Sequence, residues 1–88
     1  MIQTVTTKEK IQNEVRAFIQ NLVRNDFQGK LEPTTKILSQ QVVDSLGIIQ
    51  LVAFLESTYK IKIDQAELTL DNLDSIEQVT NYLQRKLG

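Results

Sequence analysis

Apolar residues recur at intervals of three and four positions near the start of the chain, which is the spacing of one face of an α-helix. Thr6 and Glu9 precede this stretch at the spacing of a capping box. The apolar positions of the stretch are Ile11, Val15, Phe18, Ile19, Leu22 and Val23. The pattern predicts a first amphipathic helix of about four to five turns.

A second helical pattern closes the chain. Asp74 is the predicted N-cap residue, and Glu77 lies at the capping-box distance from it. The apolar positions that follow on one face are Ile76, Val79, Tyr82, Leu83 and Leu87. Arg85 and Lys86 near the end suit the negative pole of a helix dipole, so we predict a helix here as well.

Between residues 24 and 43 the periodicity is lost. This stretch is mostly polar and contains Gly29 and Pro33, which are typical of turns. Its few apolar residues are spaced irregularly: Phe27, Leu31, Ile37 and Leu38. A loop of about twenty residues is long for a compact domain. We expect these residues to anchor it in an ordered path on the core.

A nearly uncharged apolar run, residues 46–55, follows this loop. Asp44 is a favoured N-cap type, so a second helix is predicted from Ser45 to about Tyr59. Ser45 would be its first residue, with the hydroxyl facing outward. The apolar side chains are too many for one core stripe. The helix is therefore either central in the bundle or exposes apolar surface.

The short alternation of Ile61 and Ile63 is too brief to build a sheet and predicts a tethered connection, and a short helix is expected near residues 64–70. The predicted fold is all-α: a small four-helix bundle of three main helices and one short helix, with a long loop between helices 1 and 2. With 88 residues the chain can bury one modest core. We expect a single domain over 1–88, with a structured core over about 6–85.

Composition excludes several kinds of chemistry. The chain has no cysteine and no histidine, which removes the thiol nucleophiles, the commonest general base and the commonest transition-metal ligands. No catalytic or metal site is therefore predicted. A net charge of −1 gives no general reason to expect nucleic acid as a partner. The polar N-terminus and the short apolar runs predict no membrane insertion, and we expect a cytoplasmic monomer.

Four parts of the chain together resemble the acyl carrier and peptidyl carrier proteins. They are the triplet Asp44-Ser45-Leu46 at the start of the second long helix, the apolar run 46–56, the residues 59–63 that lead out of this helix and the segment 67–76. The resemblance covers roughly residues 9–85. A bare Asp-Ser-Leu triplet is a weak signal, and its position and the downstream pattern give it weight.

The resemblance implies that Ser45 carries a 4'-phosphopantetheine arm, taken from coenzyme A by a phosphopantetheinyl transferase. The arm ends in a thiol that holds the cargo as a thioester. Such a protein is a carrier and not an enzyme. Its implied partners are an adenylate-forming ligase or acyltransferase that loads it, and downstream condensing, transfer and tailoring enzymes. Asp44 is either only the helix cap or also a residue that the transferase reads.

The predicted recognition residues of this helix, besides Asp44, are Leu46, Gly47, Ile49, Gln50, Ala53 and Glu56. The matching helix of fatty-acid carriers is typically acidic, whereas here only Glu56 is charged. We therefore expect apolar docking with weak salt dependence. Leu46 is either a core residue or an enzyme contact. Gly47 either allows a close approach of a partner or of the arm, or is merely tolerated in the first turn.

The low charge of the second helix favours a stand-alone carrier of a specialised pathway (polyketide or nonribosomal peptide) or of aminoacyl transfer. The alternatives are a carrier for primary fatty-acid synthesis and an unmodified helical protein-interaction domain. A second triplet, Asp74-Ser75-Ile76, has the same form as the first. Only 13 residues follow Ser75, too few for the helices that follow the attachment serine in the family, so we interpret the pair as a helix cap.

Overall fold

The chain forms three long helices and one short one in a computed structural model that describes residues 8–27 and 29–87. The helices are α1 (Lys8–Gln20), α2 (Ser45–Tyr59), α3 (Leu70–Leu73) and α4 (Ile76–Leu87), with a 3₁₀ turn at Gln65–Glu67 before α3. Within the described ranges there is no strand. The all-α prediction of three main helices, one short helix and a long loop after the first is confirmed.

The predicted first helix is too long at its C-terminal end. The amides of Asn21 and Leu22 donate to the carbonyls of Phe18 and Ile19, three residues back, at 3.1 and 2.8 Å. Such bonds tighten the last turn of a helix, and α1 itself ends at Gln20. Leu22 and Val23 nevertheless pack against the core. The predicted cap residue Thr6 lies outside the described residues.

The core lies between α1 and α4, with α2 closing one side. The helix α1 packs against α4, and α3 packs against α4 as well. The buried core residues on the four helices are Ile11, Val15, Ile19, Leu51, Leu55, Leu73, Ile76, Val79, Tyr82 and Leu83. At the α1–α2 contact the rings of Phe18 and Phe54 stack with centroids 4.1 Å apart. This burial is what holds such short helices in place.

The described part of the loop between α1 and α2 packs on the core, as its apolar residues predict. Leu31 and Ile37 are buried, and Phe27 and Leu38 pack partly against the core. Two further residues, Val42 and Val43, are buried just before α2. The loop is also closed at its ends, because the amide of Arg24 donates to the carbonyl of Val42 at 3.0 Å. Burial and this hydrogen bond therefore hold the residues directly before α2 in place.

In the second half of the chain one expectation is confirmed and one needs correction. The short helical stretch expected near residues 64–70 contains the 3₁₀ helix Gln65–Glu67, and α3 begins at Leu70, at the end of that range. Asp74 is not the N-cap of α4; it ends α3 instead, with its amide donating to the carbonyl of Leu70. The cap of α4 is Ser75, whose Oγ accepts the amide of Gln78 at 3.1 Å. Both residues are favoured cap types.

Candidate modification site at the start of α2

Asp44 builds the site. Its backbone is extended, and its carboxylate Oδ1 accepts the amide of Gly47 at 2.9 Å. Its main-chain carbonyl accepts the amide of Ile48 at 3.0 Å. This is the geometry of an N-cap, and it starts α2 at Ser45 as the sequence predicts.

Ser45 is exposed on the first turn of α2. Among the described residues its hydroxyl has no hydrogen-bond partner. The carboxylate of Asp44 accepts the amide of Gly47, and in the described part of the chain no hydrogen bond joins it to this hydroxyl. The described residues also contain no group of His, Cys, Asp and Glu side chains that could hold a metal ion. The hydroxyl of Ser45 is therefore accessible to a second protein.

Burial separates the two Asp-Ser pairs. Ser75 is only 5% exposed, and its hydroxyl oxygen accepts the amide of Gln78. An enzyme that must reach a serine hydroxyl can approach Ser45 but not Ser75. The interpretation of Ser75 as a structural cap fits this geometry.

Gly47 lies inside the protein, beneath the exposed serine. A Cβ atom at this position would stand 2.5 Å from Cγ1 of Val43 and 3.6 Å from Cβ of Leu22. The contact between the first turn of α2 and the end of the loop therefore favours glycine, because a larger residue would press on Val43. Neither interpretation of Gly47 from the sequence included this contact, and the one local signal for it is the apolar pair Val42-Val43 directly before the cap.

One face of α2 is apolar and open. Leu46 and Ile49 are 63% and 65% exposed, and Gln50 and Ala53 are exposed beside them. The spacing of these four positions, three, one and three, places them along one side of a helix. Leu46 is thus a surface residue and not part of the core. Four of the predicted recognition residues share this surface, which we call the α2 face.

Glu56 is placed differently. It is half-buried, and its Oε2 accepts the amide of Ile63 at 2.9 Å. The side chain thereby ties the connection after α2 back onto the helix. The α2 face is left without a charged residue, because Asp44 lies before its first turn.

Two surface depressions lie along α2. One is formed beside Asp44 by residues 22–26, which follow α1. The other lies between α1 and α2 and is lined by Glu14, Ala17, Phe18, Asn21, Phe54 and Thr58. The first includes Asp44, the residue before Ser45, whereas the second faces the C-terminal half of α2. None of the helices described in residues 8–27 and 29–87 is long and apolar enough to cross a membrane.

The fold and the site together define a small helical bundle that presents one serine at the start of its second long helix. No protein-family model matches the chain. An acyl carrier protein of Thermotoga maritima is 25% identical to it over 84 residues, which are 96% of this chain and the whole of that protein. The match confirms the resemblance to acyl carrier proteins that the sequence indicates, and it supports a carrier role.

Proposed function

We propose that the chain is a carrier protein that holds an acyl or aminoacyl group on a 4'-phosphopantetheine arm attached to Ser45. The observation that carries the proposal is the exposed, unpartnered hydroxyl of Ser45 on a helix start capped by Asp44. The end-to-end similarity to an acyl carrier protein supports it. When bound, the arm supplies the thiol that holds the cargo as a thioester.

The residues at the site fit such a group. A phosphodiester on Ser45 would lie at the positive end of the α2 dipole, where free amides favour negative charge. In the transfer, Oγ of Ser45 forms a bond to the phosphorus that bears pantetheine. The bond from that phosphorus to the adenosine bisphosphate of coenzyme A breaks, and the hydroxyl proton passes to a base of the transferase. The carrier contributes position, and the transferase contributes activation.

The α2 face is the proposed docking surface for the transferase and for the enzymes that load and unload the arm. Because Leu46, Ile49, Gln50 and Ala53 carry no charge, partners would bind through apolar contact and shape. This supports a specialised or aminoacyl-transfer pathway, with an adenylate-forming ligase or acyltransferase as the loading enzyme and condensing, transfer or tailoring enzymes downstream. We further propose that the protein acts as a cytoplasmic monomer.

Intact-protein mass spectrometry tests the attachment site. The wild type, Ser45→Ala, Ser75→Ala and the exposed control Ser57→Ala are incubated with coenzyme A, Mg²⁺ and a broad-specificity phosphopantetheinyl transferase. We expect one phosphopantetheine increment that is lost only in Ser45→Ala. Circular dichroism confirms that each variant is folded. Loss of the increment in Ser75→Ala alone would move the site to the second pair.

A second candidate is an unmodified helical interaction domain, which the exposure of Leu46 and Ile49 favours. It predicts no increment with any of several transferases on folded protein. The carrier for primary fatty-acid synthesis is separated from the preferred pathway by loading. The holo-protein is offered malonyl transfer in one reaction and an adenylate-forming ligase with amino acids in another, and the faster reaction identifies the class.

A further inference from the structure

Asp74 is a buried aspartate that lies far along the sequence from the start of α2. It is 4% exposed, and its Oδ1 accepts the amides of Leu38 and Ser39 at 2.8 and 2.9 Å. Its Oδ2 accepts the hydroxyl of Ser39. A buried carboxylate is costly unless it is hydrogen-bonded, and here three donors from a single turn of the loop satisfy it.

The main chain of Asp74 extends this contact toward α2. Its carbonyl accepts the amide of Ile37 at 2.7 Å, and the carbonyl of Ile37 accepts the amide of Val43 at 3.0 Å. Val43 directly precedes the cap Asp44, and its side chain packs onto Gly47 in the first turn of α2. A continuous series of hydrogen bonds and one packing contact therefore runs from Asp74 to the turn that carries Ser45.

The turn held between these bonds is strained. Gln41 has a positive φ of 56°, which is uncommon for a residue with a side chain. Such a conformation persists only where the surroundings fix it. The bonds to Asp74 lie on one side of Gln41, and the bond between Val43 and Ile37 closes the other. Without Asp74 this turn would lose the contacts that hold its first half.

The hydrogen bonds from the loop keep the side chain of Asp74 ionised. Burial would raise the pKa of Asp74, but hydrogen bonds from the hydroxyl and amide of Ser39, the amide of Leu38 and the charge of Lys36 together hold it below its ordinary value. The carboxylate is therefore ionised at neutral pH, and its bonds to the loop are charge-assisted.

We propose that Asp74 is a positioning residue for the modification of Ser45, because it holds residues 37–43 in the path that fixes the first turn of α2. The inference rests on the proposed function of Ser45 as the attachment point. The pair Asp74-Ser75 would then support the pair Asp44-Ser45. Ser75 caps α4, and Asp74 holds the loop that positions Ser45.

The expected effect is on the rate of the transfer and not on docking. Replacing Asp74 alters no side chain of the α2 face, so the KM of the transferase for the carrier should stay within about twofold. A nucleophile that is no longer held in one position reacts more slowly, and we expect kcat to fall about tenfold or more in Asp74→Asn.

The experiment compares the wild type with Asp74→Asn, Ser39→Ala and the exposed control Asp71→Asn. Steady-state kinetics of phosphopantetheine transfer are measured at a temperature at which circular dichroism shows folded protein. Hydrogen exchange at the hydrogen-bonded amides of Val43 and Gly47 reports the loop and the first turn of α2 independently of the transferase. Ser39→Ala removes only the hydroxyl donor on an exposed residue, so it tests the inference if Asp74→Asn does not fold.

The inference is supported if kcat falls strongly in Asp74→Asn and less in Ser39→Ala, with faster exchange at both amides and no change in Asp71→Asn. A folded Asp74→Asn with wild-type kcat overturns it, and so does a loss that disappears once rates are corrected for the unfolded fraction. Absence of any increment on the wild type would instead contradict the proposed function and the inference with it.

Discussion

The hydroxyl of Tyr59 donates a 2.6 Å hydrogen bond to the carboxylate of Glu14, and it thereby joins the last turn of α2 to the middle of α1. The ring of Tyr59 also packs edge to face with Phe54, which stacks on Phe18 of α1. Partial burial, and then the bond to Glu14 and its charge, raise the pKa of Tyr59. The end of α2 far from Ser45 is therefore held by an aromatic cluster and one polar bond.

Tyr59→Phe should lower the free energy of unfolding by about 1 kcal/mol, because it removes one partly exposed hydrogen bond to a carboxylate and keeps the ring. Urea denaturation followed by circular dichroism measures this change. In a Glu14→Ala background the same substitution should cost little, since the acceptor is already gone. Equal losses in both backgrounds would show that the bond does not stabilise the fold.

Gly47→Ala should destabilise the protein although alanine is the better helix former. Helix propensity favours alanine by about 0.8 to 1 kcal/mol, whereas overpacking costs about 1 to 3 kcal/mol. The added Cβ would stand 2.5 Å from Cγ1 of Val43. Valine is stiff at χ1 and cannot easily turn away. We expect a net loss of about 1 kcal/mol in urea denaturation.

A rescue experiment identifies the cause of that loss. Val43→Ala alone leaves a small cavity and should destabilise the protein. In the double variant the total loss should be smaller than the sum of the two single losses, because the methyl group added at position 47 fills space that the valine side chain vacated. A Gly47→Ala variant more stable than the wild type would contradict the packing role of this glycine.

Local signals in the sequence identify the N-cap of α2 at Asp44 correctly, but they do not identify the N-cap of α4, which was predicted at Asp74. The bounds of α2 follow from one cap residue and a long apolar run, and no distant partner changes them. At the start of α4 two adjacent residues are both good caps, and Ser75 with Gln78 has the same spacing as Asp74 with Glu77. What decides between them is the loop turn at Leu38 and Ser39, which is 36 and 35 residues away. Sequence periodicity carries no information about such a partner.

The interior position of Gly47 was missed for a related reason. Its neighbour Val43 is only four residues back, but the conformation of that residue depends on the hydrogen bond to Ile37 and on the buried loop. The exposure of the α2 face was partly foreseen, because the helix has more apolar residues than one stripe can bury. The pattern alone could not say that Leu46 and Ile49 would be the exposed ones.

Leu46→Ala and Ile49→Ala should weaken recognition by the transferase without unfolding the carrier. Both side chains are more than half exposed, and alanine is a good helix former, so stability should change by no more than about 0.5 kcal/mol. We expect kcat/KM to fall about fivefold or more for at least one of the two. Leu87→Ala, at a residue 43% exposed on α4, is the matched control and should not alter the rate.

Salt dependence checks the nature of that contact. Because the α2 face carries no charge, raising the ionic strength should change kcat/KM only weakly. A steep fall with salt would show that charged groups elsewhere on the carrier lead the docking. Equal losses in Leu46→Ala and Leu87→Ala would contradict a docking surface confined to the α2 face.

Asp74 should make the stability of the fold depend on acid. Its pKa in the folded protein lies below the ordinary value of 3.8, because the bonds from Ser39 and Leu38 outweigh the effect of burial. The ionised group thus contributes stability above the unfolded pKa, and this stability is lost as the pH falls through the folded pKa.

The free energy of unfolding of the wild type should exceed that of Asp74→Asn by a constant amount between about pH 5 and 7. Below about pH 4 the difference should shrink. Denaturation curves at a series of pH values measure it, with Asp71→Asn as the exposed control, and a difference independent of pH would show that the charge on Asp74 does not hold the loop.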